Sequence, residues 1–193
     1  VNKKYKFDEK KAQKAVKLLL EAFGEDLNRE GIKLTPERVA EFYKEALAGN
    51  ELDPLKIVKT HYSTEDHEEI VLVKDIPFYS LCEHHLLPFF GKAHIAYIPK
   101  KDKIVGVSKL IRLVEVFANR LQLQERLTKQ IADTVMKAAS PHGVMAVLEA
   151  EHLCMTMRGV KKPGSQMITS AVRGAFLKDV RTRSEALALL KGR

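Results

Sequence analysis

Cysteine is scarce in this chain: its 193 residues hold two, Cys82 and Cys154. Two thiols cannot build the dense disulfide framework of a small secreted domain. In a reducing compartment a bridge between them is also the less favoured fate, and metal binding the more favoured one. Long apolar runs are missing too. None approaches the ~20 residues that a helix needs to cross a bilayer, so no membrane partner is expected. The opening segment Val1-Asn2-Lys3-Lys4-Tyr5-Lys6 leads into a charged helix, not into the apolar stretch of a secretory signal. The expected location is the cytoplasm. Aromatic residues amount to 7%, and they do not interleave with the basic residues as base stacking on a single strand would require. Fixed-period repeats and low-complexity segments are absent.

What is present describes a globular protein, with 45% apolar and 30% charged residues. The length suits one full domain with a helical extension. A formal net charge of +8 points to a polyanionic partner: nucleic acid, an acidic surface or a phosphorylated metabolite. Many basic enzymes simply carry solvated lysines, so the placement of the charges matters more than their sum.

Residues Asp8 to Phe23 read as an amphipathic helix, with Asp8 as N-cap and Ala12, Ala15, Val16, Leu19 and Phe23 on one face. Thr35-Pro36 opens a second helix whose buried face would be Val39, Phe42, Ala46 and Leu47. Asp53-Pro54 marks a linker, which makes residues 1–55 a helical N-terminal extension and 56–193 the main domain. Glu68 to Ile76 alternates like a strand that Pro77 interrupts, and Phe90 to Ile98 is a second strand ending in the polar turn Lys100-Lys101-Asp102-Lys103. Two helices follow. The first begins at Ser108, with Leu110, Ile111, Val114, Phe117 and Leu121 as its stripe; the second runs from Glu125 to Ala139. Val144 to Glu151 and Gln166 to Phe176 are strands, and Arg181 to Leu190 is a closing helix. The order strand, strand, helix, helix, strand, strand predicts an α+β domain: a four-stranded antiparallel sheet with its helices on one face.

Chemistry concentrates at Leu81-Cys82-Glu83-His84-His85-Leu86 and at His152-Leu153-Cys154. Thiolate and neutral imidazole are the ligands that Zn²⁺ takes most readily near neutral pH, and three of them leave one tetrahedral position open for catalysis. On a continuing strand His152 and Cys154 would point to the same face, roughly 6.5–7 Å apart between Cα atoms. His152 would then stand beside a metal held by Cys154, where a proton-transfer group belongs. In the upstream cluster the spacing is ambiguous. Cys82 with His85 suits chelation across a turn, and Cys82 with His84 suits a strand. Spacing leans to His85 without excluding His84.

Ser108, Lys109 and Arg112 cluster at a helix start, where free N–H groups and the helix dipole attract anions, and Arg158 is a further donor. An N-cap followed by solvated cations would look the same. Gln124-Glu125 opens the next helix. A carboxylate there complements the dipole, and it can also accept two parallel hydrogen bonds from the N1–H and 2-amino group of guanine. A zinc-stabilised nucleic-acid or nucleotide-binding domain is the competing class. A closed structural site normally has four protein ligands, however, and the cysteines and histidines do not force a fourth.

Together these segments resemble GTP cyclohydrolase I. The carriers are Arg29-Glu30-Gly31, Thr35-Pro36-Glu37-Arg38-Val39-Ala40, Cys82-Glu83-His84-His85-Leu86-Leu87-Pro88-Phe89, Gly106-Val107-Ser108-Lys109-Leu110, Gln122-Leu123-Gln124-Glu125-Arg126-Leu127-Thr128, His152-Leu153-Cys154-Met155, Arg158-Gly159-Val160 and Thr169-Ser170. Leu153 and Ile111 depart from residues common in the family, and neither touches the proposed chemistry. The resemblance implies a tunnelling fold, with Cys82, His85 and Cys154 as zinc ligands and His84 and His152 as acid–base groups. It further implies triphosphate contacts at Ser108, Lys109, Arg112 and Arg158, and guanine contacts at Gln124 and Glu125. The implied reaction turns GTP and water into formate and 7,8-dihydroneopterin triphosphate, the first step of pterin and folate-type biosynthesis. The implied assembly is a toroidal homodecamer of two stacked pentameric rings whose active sites lie between subunits.

Overall fold

In the first helix, Asp8 accepts a hydrogen bond from the Lys11 N–H at 3.0 Å, and this cap opens α1 (Glu9–Ala22). The computed structural model describes residues 6–58, 61–62, 67–100 and 103–192, so the middle of the expected Lys100–Lys103 turn lies outside the described residues. Pro36 sits in the first turn of α2 (Thr35–Ala46), where its missing N–H costs nothing. A 3₁₀ turn (Ala48–Glu51) and the short α3 (Pro54–Ile57) follow, the latter capped by Asp53. The Arg120 guanidinium ties this region to the main body by donating to the Gly49 and Leu52 carbonyls.

The buried face expected for these helices is only partly buried. In α1 the one buried residue is Leu20, while Leu19 and Phe23 are exposed, as are Leu34 and Phe42 in or beside α2. The periodicity is right, but α1 and α2 cover only part of each other. Their remaining apolar surface has no cover among the described residues of the chain.

Two short strands, β1 (His61–Tyr62) and β4 (Ile104–Val105), pair in a small sheet. The main sheet contains β2 (Val71–Cys82), β3 (Pro88–Ile98), β5 (Leu121–Gln122), β6 (Gly143–His152) and β7 (Gln166–Gly174), in the spatial order β5-β2-β3-β6-β7. Four of these form the expected antiparallel array. The expectation of four strands is corrected by β5, which joins the edge of β2 in parallel and makes the sheet mixed. Leu121 therefore lies on a strand, outside the stripe of α4 (Val107–Ala118).

The expectation that Pro77 interrupts the strand is corrected: it pairs with Lys92 inside the β2 ladder. Proline is tolerated because β5 flanks only the last two residues of β2, leaving the edge open where Pro77 lacks its N–H. The irregularity falls earlier, between Val73 and Ile76. There Asp75 adopts a left-handed φ of 59°, its N–H donates to His94 Nδ1 at 3.0 Å, and its carboxylate meets Lys92 at 3.0 Å.

α4 and α5 (Gln124–Ala139) cover one face of the sheet, burying Leu110, Val114, Leu127 and Ile131 against Ile95, Ala146 and Leu148. The expectation of helices on one face alone is also corrected. Phe176 of α7 (Ala175–Lys178) and Ala186 of α8 (Val180–Lys191) pack with Ala96, Met145 and Val147 on the other face. Strand alternation makes this possible, because β6 carries apolar residues at successive positions and so presents them to both sides.

One close approach sets the β3–β6 spacing. A Cβ on Gly91 would run into the backbone carbonyl of Glu149 on β6. Gly91→Ala is expected to cost about 3 kcal/mol or more, since the obstruction is backbone and cannot rotate away. The urea midpoint of the purified variant checks this.

Candidate active site

β2 ends on Cys82, β3 begins at Pro88 and β6 ends on His152, so three strand termini meet at one end of the sheet. The connection between β2 and β3 is a tight turn: Leu86 N–H donates to the Cys82 carbonyl at 2.8 Å and Cys82 N–H to the Leu87 carbonyl at 2.9 Å. Leu86 takes a left-handed φ of 56° to close it. Phe89 is the cross-strand partner of His152, and their rings stack at 4.5 Å with only 4° between planes.

Beyond His152 the chain leaves the strand. Cys154 lies on the one-turn helix α6 (Leu153–Thr156), so the same-face argument from a continuing strand does not describe the local geometry. The turn still delivers the thiol: ligand atoms of Cys82, His152 and Cys154 lie within 4.8 Å of one another. Cys82 and His152 are buried and Cys154 is half-buried. The two thiols are free of any disulfide.

Burial pushes the Cys154 thiol above its usual pKa, and the neighbouring Cys82 thiol pushes it further. Two thiols this close resist joint deprotonation unless a cation offsets the charge, which is the behaviour of a metal-binding pair. Burial holds His152 below the ordinary histidine pKa, partly opposed by the Glu125 carboxylate. A neutral imidazole is the form that binds metal or accepts a proton. The donor set therefore fits a divalent cation.

His84 and His85 lie on the exposed turn, their rings 6.4 Å apart and nearly perpendicular. His85 Nε2 is 3.1 Å from Arg158 Nη1, and His85 is not among the three residues whose ligand atoms converge. Gln124 and Glu125 open α5 at the same end of the sheet, Gln124 1% exposed and Glu125 on the surface.

Ser108, Lys109 and Arg112 lie elsewhere. Ser108 and Lys109 lie in the first turn of α4 and Arg112 near its middle; α4 follows β4 at the Tyr97 end of β3, where Tyr97 Oη accepts from the Val105 N–H at 3.0 Å. The far end of α4 is the one near the thiols, where Ser80 Oγ donates to the Ala118 carbonyl at 2.7 Å. A helix of 12 residues spans ~18 Å, so within one chain these cations are remote from Cys82.

Sequence reasoning assigned no role to Glu83. Its carboxylate takes a two-point ion pair from Arg126, at 2.6 and 2.9 Å, and this pairing holds the carboxyl below its usual pKa. The pair ties the cysteine turn to the first turn of α5. Nothing in the local sequence of either residue signals it, because the partners are 43 positions apart. Arg126→Leu is expected to weaken metal retention about 10-fold, because the turn that follows Cys82 loses its tie to α5. Competition with a chromophoric chelator measures it.

An α+β sheet whose strand ends gather two thiols and an imidazole beside further histidines is the frame of a metal-dependent enzyme. The family model of GTP cyclohydrolase I matches residues 12–191. A GTP cyclohydrolase 1 from Pelotomaculum thermopropionicum is 62% identical over 186 residues, covering 96% of this chain and 98% of the relative. One from Carboxydothermus hydrogenoformans is 63% identical over 183 residues, 95% of each chain. One from Halalkalibacterium halodurans is 58% identical, covering 97% of this chain and 99% of its own. The chain belongs to the GTP cyclohydrolase I family.

Proposed function

We propose that this protein is a zinc-dependent enzyme that converts GTP and water into formate and 7,8-dihydroneopterin triphosphate, opening pterin and folate-type biosynthesis. The observation that carries this reading is the convergence of Cys82, His152 and Cys154 at one sheet end, in a chain that matches the family almost throughout. Cys82, His85 and Cys154 are the zinc ligands in this reading, with His152 beside them. When bound, zinc supplies Lewis-acid activation of water near neutral pH. His152 and His84 move protons at the imidazole nitrogens and ribose oxygen of the substrate while C8 is hydrolysed and lost as formate. An Amadori-type rearrangement and ring closure follow.

Glu125 accepts the N1–H and 2-amino group of guanine, and Gln124 belongs to the same subsite. Ser108, Lys109, Arg112 and Arg158 orient the triphosphate, converting binding energy into alignment of C8. The distance between α4's first turn and the thiols supports a pocket shared between copies: the first three of these phosphate groups come from a neighbouring subunit. Exposed Leu18, Leu19, Phe23, Leu34 and Phe42 are apolar surface of the kind that subunit contacts cover. The assembly is a homodecamer of two pentameric rings. Residues 1–55 form the helical extension and 56–193 the tunnelling-fold catalytic unit. No described helix is long and apolar enough to cross a membrane, and a metal site built on free thiols suits a reducing cytoplasm.

Metal analysis joined to a formate-release assay on GTP tests the function. Zinc-loaded protein that releases no formate sinks it. Co-assembly tests the shared pocket: His152→Ala and Lys109→Ala chains, each inactive alone, are expected to regain partial activity when mixed and reassembled. No recovery would place the whole pocket in one chain.

A further inference from the structure

The Gln124 side chain is buried and fully occupied by its own chain. Its Nε2 offers two hydrogens to three acceptors, the Met167 carbonyl at 2.9 Å, the Leu148 carbonyl at 3.1 Å and Thr169 Oγ1 at 3.1 Å, so one hydrogen is shared. Its Oε1 lies 2.7 Å from His152 Nε2. The amide can sit only one way round, because the flipped orientation would set its oxygen against two carbonyl oxygens.

The surrounding hydroxyls settle the remaining protons. Thr128 Oγ1 is 2.7 Å from the backbone carbonyl of Gln124, to which it donates its only hydrogen. The 2.7 Å contact between Thr128 and Thr169 must then be a donation from Thr169 to Thr128. Thr169 Oγ1 is left as an acceptor for Gln124 Nε2–H. Every donor in the network is assigned, and Oε1 of Gln124 has only a lone pair to offer His152. The Nε2 atom of His152 therefore carries the hydrogen.

We propose that Gln124 is a positioning residue that fixes His152 as its Nε2–H tautomer, which leaves the Nδ1 lone pair as the open acceptor of the ring. This rests on the cyclohydrolase reading and deepens it. The bound hydrogen points away from the chemistry into the Gln124–Thr169–Thr128 network. The stack on Phe89 fixes the ring plane, and Nδ1 is the ring nitrogen left with an open lone pair. Gln124 then serves the guanine subsite by holding His152, its amide hydrogens being taken up by this network, and the guanine edge is left to the Glu125 carboxylate. A histidine in the wrong tautomer is a severe defect: where an orienting group is replaced, losses of about 10⁴ in kcat are known for a hydrolytic triad.

Two measurements test the proposal. The first needs no substrate: ¹⁵N solid-state NMR of histidine-labelled protein, with the His152 signals identified by subtracting the His152→Asn spectrum. A protonated, pyrrole-type Nε2 is expected; a pyrrole-type Nδ1 overturns the assignment. The second is kinetic. Gln124→Met is expected to lower kcat about 100-fold with zinc content unchanged and the KM for GTP within about 2-fold. A large rise in KM at unchanged kcat would make Gln124 a substrate contact instead. Should that variant not fold, Thr169→Val opens the same network more gently and is expected to lower kcat with KM unchanged; no change in kcat counts against the proposal. Failure of the unmodified enzyme to release formate would defeat the function, while the NMR tautomer would stand or fall separately.

Discussion

Cys154→Ala is expected to lose bound zinc and formate release together. The cysteine sits on α6, a single turn held off the end of β6, and its thiol lies beside that of Cys82 in a half-buried site. Removing it leaves one thiolate and imidazoles, too few for a tight site when three protein ligands already hold an open catalytic metal. Without the metal, water is no longer acidified toward neutral pH, and activity is expected to fall by roughly 10³ or more. The fold should survive, since Cys154 lies at the margin of the main core cluster. Zinc by atomic absorption, formate release and a thermal melt on one preparation decide the matter. Retained zinc with lost activity would take Cys154 out of the ligand set.

The second large effect separates the two histidines that compete for the metal. His152→Ala is expected to keep its zinc and lose about 10²–10⁴ in turnover, the usual contribution of a positioned general acid–base group. His85→Ala is expected to lose both. His152 converges with the thiols, whereas His85 meets Arg158 on the exposed turn, so geometry alone would favour the opposite order. The order expected here follows the family resemblance. The Gln124 contact at His152 Nε2, 2.7 Å, and the flat stack on Phe89 fix the direction of Nδ1 and would serve a metal ligand or a proton-transfer group alike. His85 is on a surface turn outside the strand ladder. Zinc loss from His152→Ala, with zinc retained in His85→Ala, would make Cys82, His152 and Cys154 the ligand set and leave His85 for proton transfer.

Much of the site was legible because its chemistry is local. A thiol and two imidazoles in adjacent positions, and another such pair two residues apart, advertise a metal before any fold is known. The caps were legible for the same reason: Asp8 and the Thr35-Pro36 start act within a turn of their own position. The misplacements share one cause, the need for a distant partner. Pro77 reads as a break until β2 is seen to have an open edge there. Leu121 reads as helix until β2 recruits it as a strand. Leu19 and Phe23 satisfy a helical stripe but remain exposed, because periodicity specifies an apolar face and not what covers it. Glu83 was opaque because its meaning lies in Arg126, across the β2–α5 junction.

The sequence by itself determined the main helices, four strands of an antiparallel array and the residues able to hold a metal or a proton, since side-chain period, capping and ligand chemistry are properties of short segments. Only the tertiary structure decided which of these groups meet. Cys82 and Cys154 are 72 residues apart in the numbering of the chain, and they come together because β2 and β6, each paired to β3, end at the same edge. The fold carries Ser108 and Lys109 to the opposite end, along a helix whose length the sequence shows but whose direction it does not. It also closes the hydrogen-bond network from Thr169 on β7 through Gln124 on α5 to His152 on β6. Proximity in three dimensions follows from strand pairing, and strand pairing is a property of the whole chain.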